Sequence, residues 1–94
     1  MTDLRQYARG KPCMVRLPGI CCGDAETTVL AHIRMAGITG MGQKAPDLLG
    51  AWACFKCHDY IDGRAKRDRS VMLDHLEGVA RTINQLIKDG IIHV

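Results

Sequence analysis

The sequence predicts a small α+β domain, stapled by a zinc ion and covered by a long C-terminal helix. Three observations carry this expectation. The chain has 94 residues and only four aromatic side chains, Tyr7, Trp52, Phe55 and Tyr60, yet it holds five cysteines. An apolar core of that size gives thin stability, which small domains commonly supplement with a metal or disulfides. Second, Thr27–Ile33 is dense in β-branched and apolar residues, as a strand is. Third, from Met72 apolar residues recur at Leu76, Val79, Ala80, Ile83, Leu86 and Ile87, the stripe of an amphipathic helix.

The N-terminus carries charge early and shows no apolar run, so neither a signal peptide nor a membrane span is expected. A cytoplasmic protein follows, in which clustered cysteines are more often metal ligands than disulfides. A net charge of +3 permits nucleic-acid binding without requiring it. Two basic clusters stand out, Arg5, Arg9, Lys11 and Arg16 near the N-terminus and Arg64, Lys66, Arg67 and Arg69 further on. Either could be ordinary solvated surface.

In chain order, residues 1–12 read as a short helix or arm, broken by Gly10 and Pro12. Met14–Leu17 is a candidate strand with Pro18-Gly19 as its turn. In the main strand, Leu30 and His32 share one face and Val29 and Ile33 the other. Gly37–Pro46 is a glycine-rich loop that exposes Lys44. Asp47–Ala53 reads as a helical turn or strand, and His58 to about Arg64 as a short helix. Asp68 or Ser70 caps the long helix, and Gly90 suits the position after its end. Ile91–Val94 can add a last strand. Glu77 and Arg81 are spaced to pair, and His75 falls off the apolar stripe and receives no role.

Chemistry concentrates at Cys54-Phe55-Lys56-Cys57-His58. A Cys-x-x-Cys turn can close on one metal, and Cys13 with Cys21 or Cys22 would complete a tetrahedral Cys₄ zinc site, leaving one cysteine over. The competing reading is a set of buried free thiols. The same residues match a haem-attachment pattern, but that needs export and leaves Cys13 and Cys21 unexplained. No βαβ pattern supports a thioredoxin-like role. His58 and Asp62 are i and i+4 and so share a helix face.

Taken together, Asp3-Leu4-Arg5, Leu30-Ala31-His32-Ile33-Arg34, Pro46-Asp47-Leu48, Ala53-Cys54-x-x-Cys57-His58-Asp59 and Leu76–Thr82 resemble the YbcO-like nuclease family of phages and prophages. More broadly, the chain resembles the HNH, or ββα-metal, endonucleases. That resemblance implies metal-dependent hydrolysis of DNA, with RNA as the other candidate substrate. It implies His32 as general base, Asp47 as its orienting partner, and His58 as ligand of a catalytic Mg²⁺ or other divalent ion, for which Asp62, on the same helix face, Asp59 or Asp47 would supply the carboxylate. Cys13, Cys21, Cys54 and Cys57 would be the structural zinc ligands. Arg34 would share the His32 face and meet a phosphate, and Arg64, Lys66 and Arg67 would follow the DNA backbone. A homodimer would let so small a protein reach both strands. Two departures stand out. Ala31 occupies a position where many members carry a metal ligand, and Asp47 replaces the usual Asn. They leave room for a different class of function, a zinc-stabilised binding or adaptor module without catalysis.

Overall fold

The protein's structure, a computed structural model, describes residues 3–33, 46–63 and 68–92. Arg34, Lys44, Arg64, Lys66, Arg67 and His93 lie outside the described residues, as does most of the glycine-rich loop. A one-turn helix, α1 (Leu4–Tyr7), starts at Asp3, whose carboxylate accepts the N–H groups of Arg5 and Gln6. A 3₁₀ turn at Ala25–Thr27, capped by Asp24, feeds strand β1 (Val29–His32). A second 3₁₀ turn at Asp47–Leu49 feeds β2 (Gly50–Ala53), so the expected turn and strand both occur there. Helices α2 (Phe55–Asp62) and α3 (Arg69–Lys88) follow.

The two strands are antiparallel and pair Val29 with Ala53, Leu30 with Trp52, Ala31 with Ala51 and His32 with Gly50. Gly50 lets Leu30 pack close, because a Cβ here would lie 2.6 Å from Leu30 Cγ and force that side chain to shift. Alternation divides the core into two clusters. Ala31, Ile33, Ala51 and Ala53 face Cys13, Val15, Leu17, Cys54, Cys57, Val71 and Val79. Trp52 joins Ala8, Met14 and Leu86 in the other cluster, with Leu30 packed against it. His32 follows Leu30 in the alternation, which keeps it off the cysteine side.

The 13–17 segment is not the expected strand. Arg16 has φ 54°, a left-handed conformation that breaks an extended run. One bond still ties the segment to the sheet: the Met14 N–H donates to Trp52 O at 2.6 Å. Helix α3 presses against the same segment. A Cβ on Gly78 would sit 2.9 Å from Val15 Cγ2 and 3.0 Å from Val15 Cα. Arg81, expected to pair with Glu77, donates Nη1–H to Met14 O at 2.6 Å. The Thr82 hydroxyl accepts the Trp52 N–H at 3.0 Å and donates to Gly78 O at 2.8 Å.

The buried face of α3 is Val71, His75, Gly78, Val79, Thr82 and Leu86. It is rotated from the expected stripe, since Ala80 and Ile87 are exposed and His75 is buried. Asp68 is the cap, accepting the N–H groups of Ser70 and Val71. At the other end Gly90 (φ 75°) closes a Schellman motif, in which the Ile91 N–H donates to Leu86 O and the Gly90 N–H to Ile87 O. Ile91 and Ile92 pack against the Trp52 cluster rather than forming a strand.

Two predictions follow from these contacts. Thr82→Val leaves the Trp52 N–H buried without an acceptor and should cost about 1–3 kcal/mol in urea unfolding; a change within error would show that water replaces the hydroxyl. The second concerns acid. The Ser70 hydroxyl and the Val71 and Ser70 N–H groups hold the Asp68 carboxyl below the usual range, and the Tyr7 hydroxyl and Gln85 amide do the same for Asp89. Carboxyls lowered by folding stabilise above the unfolded value near 3.9 and lose that contribution as pH falls through their folded values. The urea midpoint should therefore fall below about pH 4, and less steeply in an Asp68→Asn, Asp89→Asn double variant.

Candidate metal centre and histidine pairs

Two segments deliver the four thiols. Cys13 precedes the bend at Arg16, whose N–H points back to Cys13 Sγ at 3.5 Å. Cys21 ends the turn at Pro18-Gly19, where the Cys21 N–H donates to Leu17 O at 2.9 Å. Cys54 is the N-cap of α2 and Cys57 lies in its first turn. The four Sγ atoms all lie within 4.8 Å of one another. Cys13 and Cys57 are 3.7 Å apart, and Cys21 and Cys54 3.9 Å. A tetrahedral zinc with Zn–S bonds of about 2.3 Å has S···S edges of about 3.8 Å. The donor set and its spacing therefore fit zinc. Cys22 is exposed and is not among the four clustered thiols, although it reaches Cys54, so the geometry favours Cys21 as the member from that pair.

Burial pushes the Cys57 and Cys21 thiols up. Burial acts the same way on Cys54, but the N–H groups of Cys57 and Cys22 outweigh it and bring that thiol down to about 6. Amides converging on a sulfur favour the thiolate, the form that binds a metal.

The other chemical groups form pairs. His32, at the end of β1, has Nε2 2.7 Å from Asp47 Oδ1. Asp47 opens the turn into β2, so the strand pairing brings it to His32 across fifteen residues of sequence. Arg5 Nε lies 3.5 Å from the same oxygen. His32 and Arg5 together hold the Asp47 carboxyl below the usual range, His32 most strongly. The His32 side chain is 18% exposed, reachable but shielded. On α2, His58 Nε2 and Asp62 Oδ2 are 3.1 Å apart across one helical turn, both partly exposed. Among the described residues only the cysteines bring three or more ligand atoms together, so His58 and Asp62 do not converge with His32 and Asp47.

Sequence reasoning passed over two residues. Arg5 was one member of a basic cluster, and nothing local pointed it at Asp47. His75 is 5% exposed, and its Nε2–H donates to Ala31 O at 2.8 Å, next to His32. Burial lowers its pKa, and the charges of Asp62, His58 and His32 all reach it. The signal was there in the spacing of 71, 75, 78, 82 and 86, hidden because those positions include His, Gly and Thr.

The thiol geometry separates the neighbouring cysteines. Cys21→Ser should lower the melting temperature and bound zinc, whereas Cys22→Ser should stay within about 0.5 kcal/mol of the parent, as surface changes do. Equal losses in both variants would contradict the assignment.

Comparison with known proteins bears on what these groups do. Residues 2–91 match the family model described as "Putative nuclease YbcO". The chain is 49% identical over 94 residues to "Putative nuclease YbcO" of Escherichia coli (strain K12), covering 98% of each chain. The same identity and coverage hold for "Putative nuclease ybcO" of Enterobacteria phage 82. A solved structure of a "putative bacteriophage protein" from Escherichia coli K-12 is similar with a TM-score of 0.75 and 44% identity, over 94% of this chain and all of that one. The chain belongs to the family described as "Putative nuclease YbcO".

Proposed function

We propose that this chain is a metal-dependent endonuclease of the HNH, or ββα-metal, kind, hydrolysing DNA phosphodiester bonds in the processing or recombination of phage DNA. The observation that carries the reading is the 2.7 Å contact between His32 and Asp47, beside a strand–strand–helix unit with thiols at its hinge. The nuclease names of the family and its relatives, one of them from a phage, support the reaction class.

In this mechanism Asp47 accepts the Nε2–H of His32, which fixes the tautomer and leaves Nδ1 as the basic nitrogen. His32 Nδ1 takes a proton from water as its oxygen bonds to phosphorus and the bond to the leaving oxygen breaks. Asp47 stabilises the imidazolium, and Arg5 steadies Asp47. His58 and Asp62 offer an imidazole nitrogen and a carboxylate oxygen at partly exposed positions, a pair suited to one divalent ion with sites left for phosphate and water. Such an ion supplies charge stabilisation on the phosphate and leaving oxygens. Arg34 is assigned to a phosphate oxygen, and Arg64, Lys66 and Arg67 to the backbone further along. Two copies would reach both strands of a duplex.

A second reading is a zinc-stabilised nucleic-acid-binding or adaptor module. Ala31 favours it, being 1% exposed in the core where it cannot serve as a ligand.

Nicking of supercoiled plasmid with Mg²⁺ or Mn²⁺ separates the two. His32→Ala should lower the rate by about 10²–10⁴-fold while the melting temperature holds, and Asp47→Ala by about 10–100-fold, as for other orienting partners. Nicking by purified protein that survives His32→Ala would overturn the catalytic assignment. Folded, zinc-loaded protein that never nicks DNA or RNA would favour the binding module.

A further inference from the structure

A cleft of about 440 Å³ lies between α1 and the turn leading into β1. Arg5 and Arg9 line one wall, and Glu26 to Leu30 line the other. Arg5 and Arg9 bring two guanidinium groups to the cleft, against the carboxylate of Glu26 in its lining and that of Asp47 beside Arg5. Arg5 links the cleft to the candidate active site, since its Nε reaches Asp47 while its side chain is 65% exposed. Arg9 is exposed at the end of the arm that α1 begins. Thr28 borders the cleft with its side chain buried beneath the surface.

The geometry points to a phosphate-binding subsite. With DNA as the substrate proposed above, the cleft formed by Arg5, Arg9 and the 26–30 segment holds a backbone phosphate next to the scissile one. Each component suits that ligand. Guanidinium groups present paired N–H donors that match phosphate oxygens. Val29, exposed on the rim, and Leu30 give the adjoining sugar an apolar surface. Arg5 is then shared, steadying Asp47 through Nε while its remaining N–H groups turn to DNA. This assigns the N-terminal basic cluster a specific task.

The test is binding of a fluorescent ~20-base-pair duplex by the full chain in a His32→Ala background, followed across salt concentrations. Each phosphate contact contributes about 0.9 to the slope of log affinity against log salt. Arg9→Ala should weaken binding several-fold, alike for unrelated sequences, and reduce that slope by about 1. Arg9→Lys, which keeps the charge, should restore most of both. Arg9 is exposed, so folding is not at stake, and an unchanged melting temperature checks this. If the His32→Ala protein binds DNA and Arg9→Ala leaves affinity and slope unchanged, the subsite is wrong while the nuclease reading stands. If the protein binds no DNA at all, the DNA-cleaving reading fails and the subsite with it.

Discussion

The convergence of four thiols is the constraint on which the rest depends. Cys13 and Cys21 bracket a segment with little regular structure, and Cys54 and Cys57 lie where β2 turns into α2. Bringing the sulfurs within 4.8 Å closes two long loops at once and seats the 13–17 segment against β2 and α3. The apolar residues nearby are mostly small, Ala31, Ala51, Ala53 and Val15, so burial there releases little free energy per residue. A metal bound only by the folded chain contributes its binding free energy to folding.

From that anchor the candidate site follows by connection. The hinge at Cys54 sets where α2 begins, and with it His58 and Asp62. The hydrogen bonds of β2 set where Asp47 meets His32, and Gly50 lets Leu30 pack close enough for the pairing to hold. Helix α3 supports the pair from beneath, with Thr82 on β2 and His75 on β1. The residues that carry chemistry are thus held by backbone pairing and side-chain caps more than by a large core.

Much of this was legible in the sequence where residues act locally. The strand around His32, the turn at Pro18-Gly19 and the Gly90 stop depend on neighbours within a few positions and appear where expected, Asp68 is the cap of the two candidates, and α2 begins at Phe55, three residues before the expected His58. The failures share a different cause. Hydropathy places Val79 and Leu86 correctly in the buried face of α3 but adds Ala80 and Ile87, which are exposed; close packing on Val15 selects Gly78 instead, and an orphan strand N–H selects Thr82. His75 was passed over for the same reason, since a polar residue enters the core when a buried carbonyl needs a donor. Met14–Leu17 looked like a strand because its composition is apolar, yet the geometry around Cys13 demanded a left-handed Arg16. Arg5 reached Asp47 through tertiary packing, which no local pattern records.

The most direct test of the central claim is the metal content of protein purified without added metal, measured together with the melting curve after chelation. One zinc per chain, with unfolding when it is stripped, is the result this account predicts. Protein that is metal-free as purified and melts at the same temperature with or without zinc would contradict it.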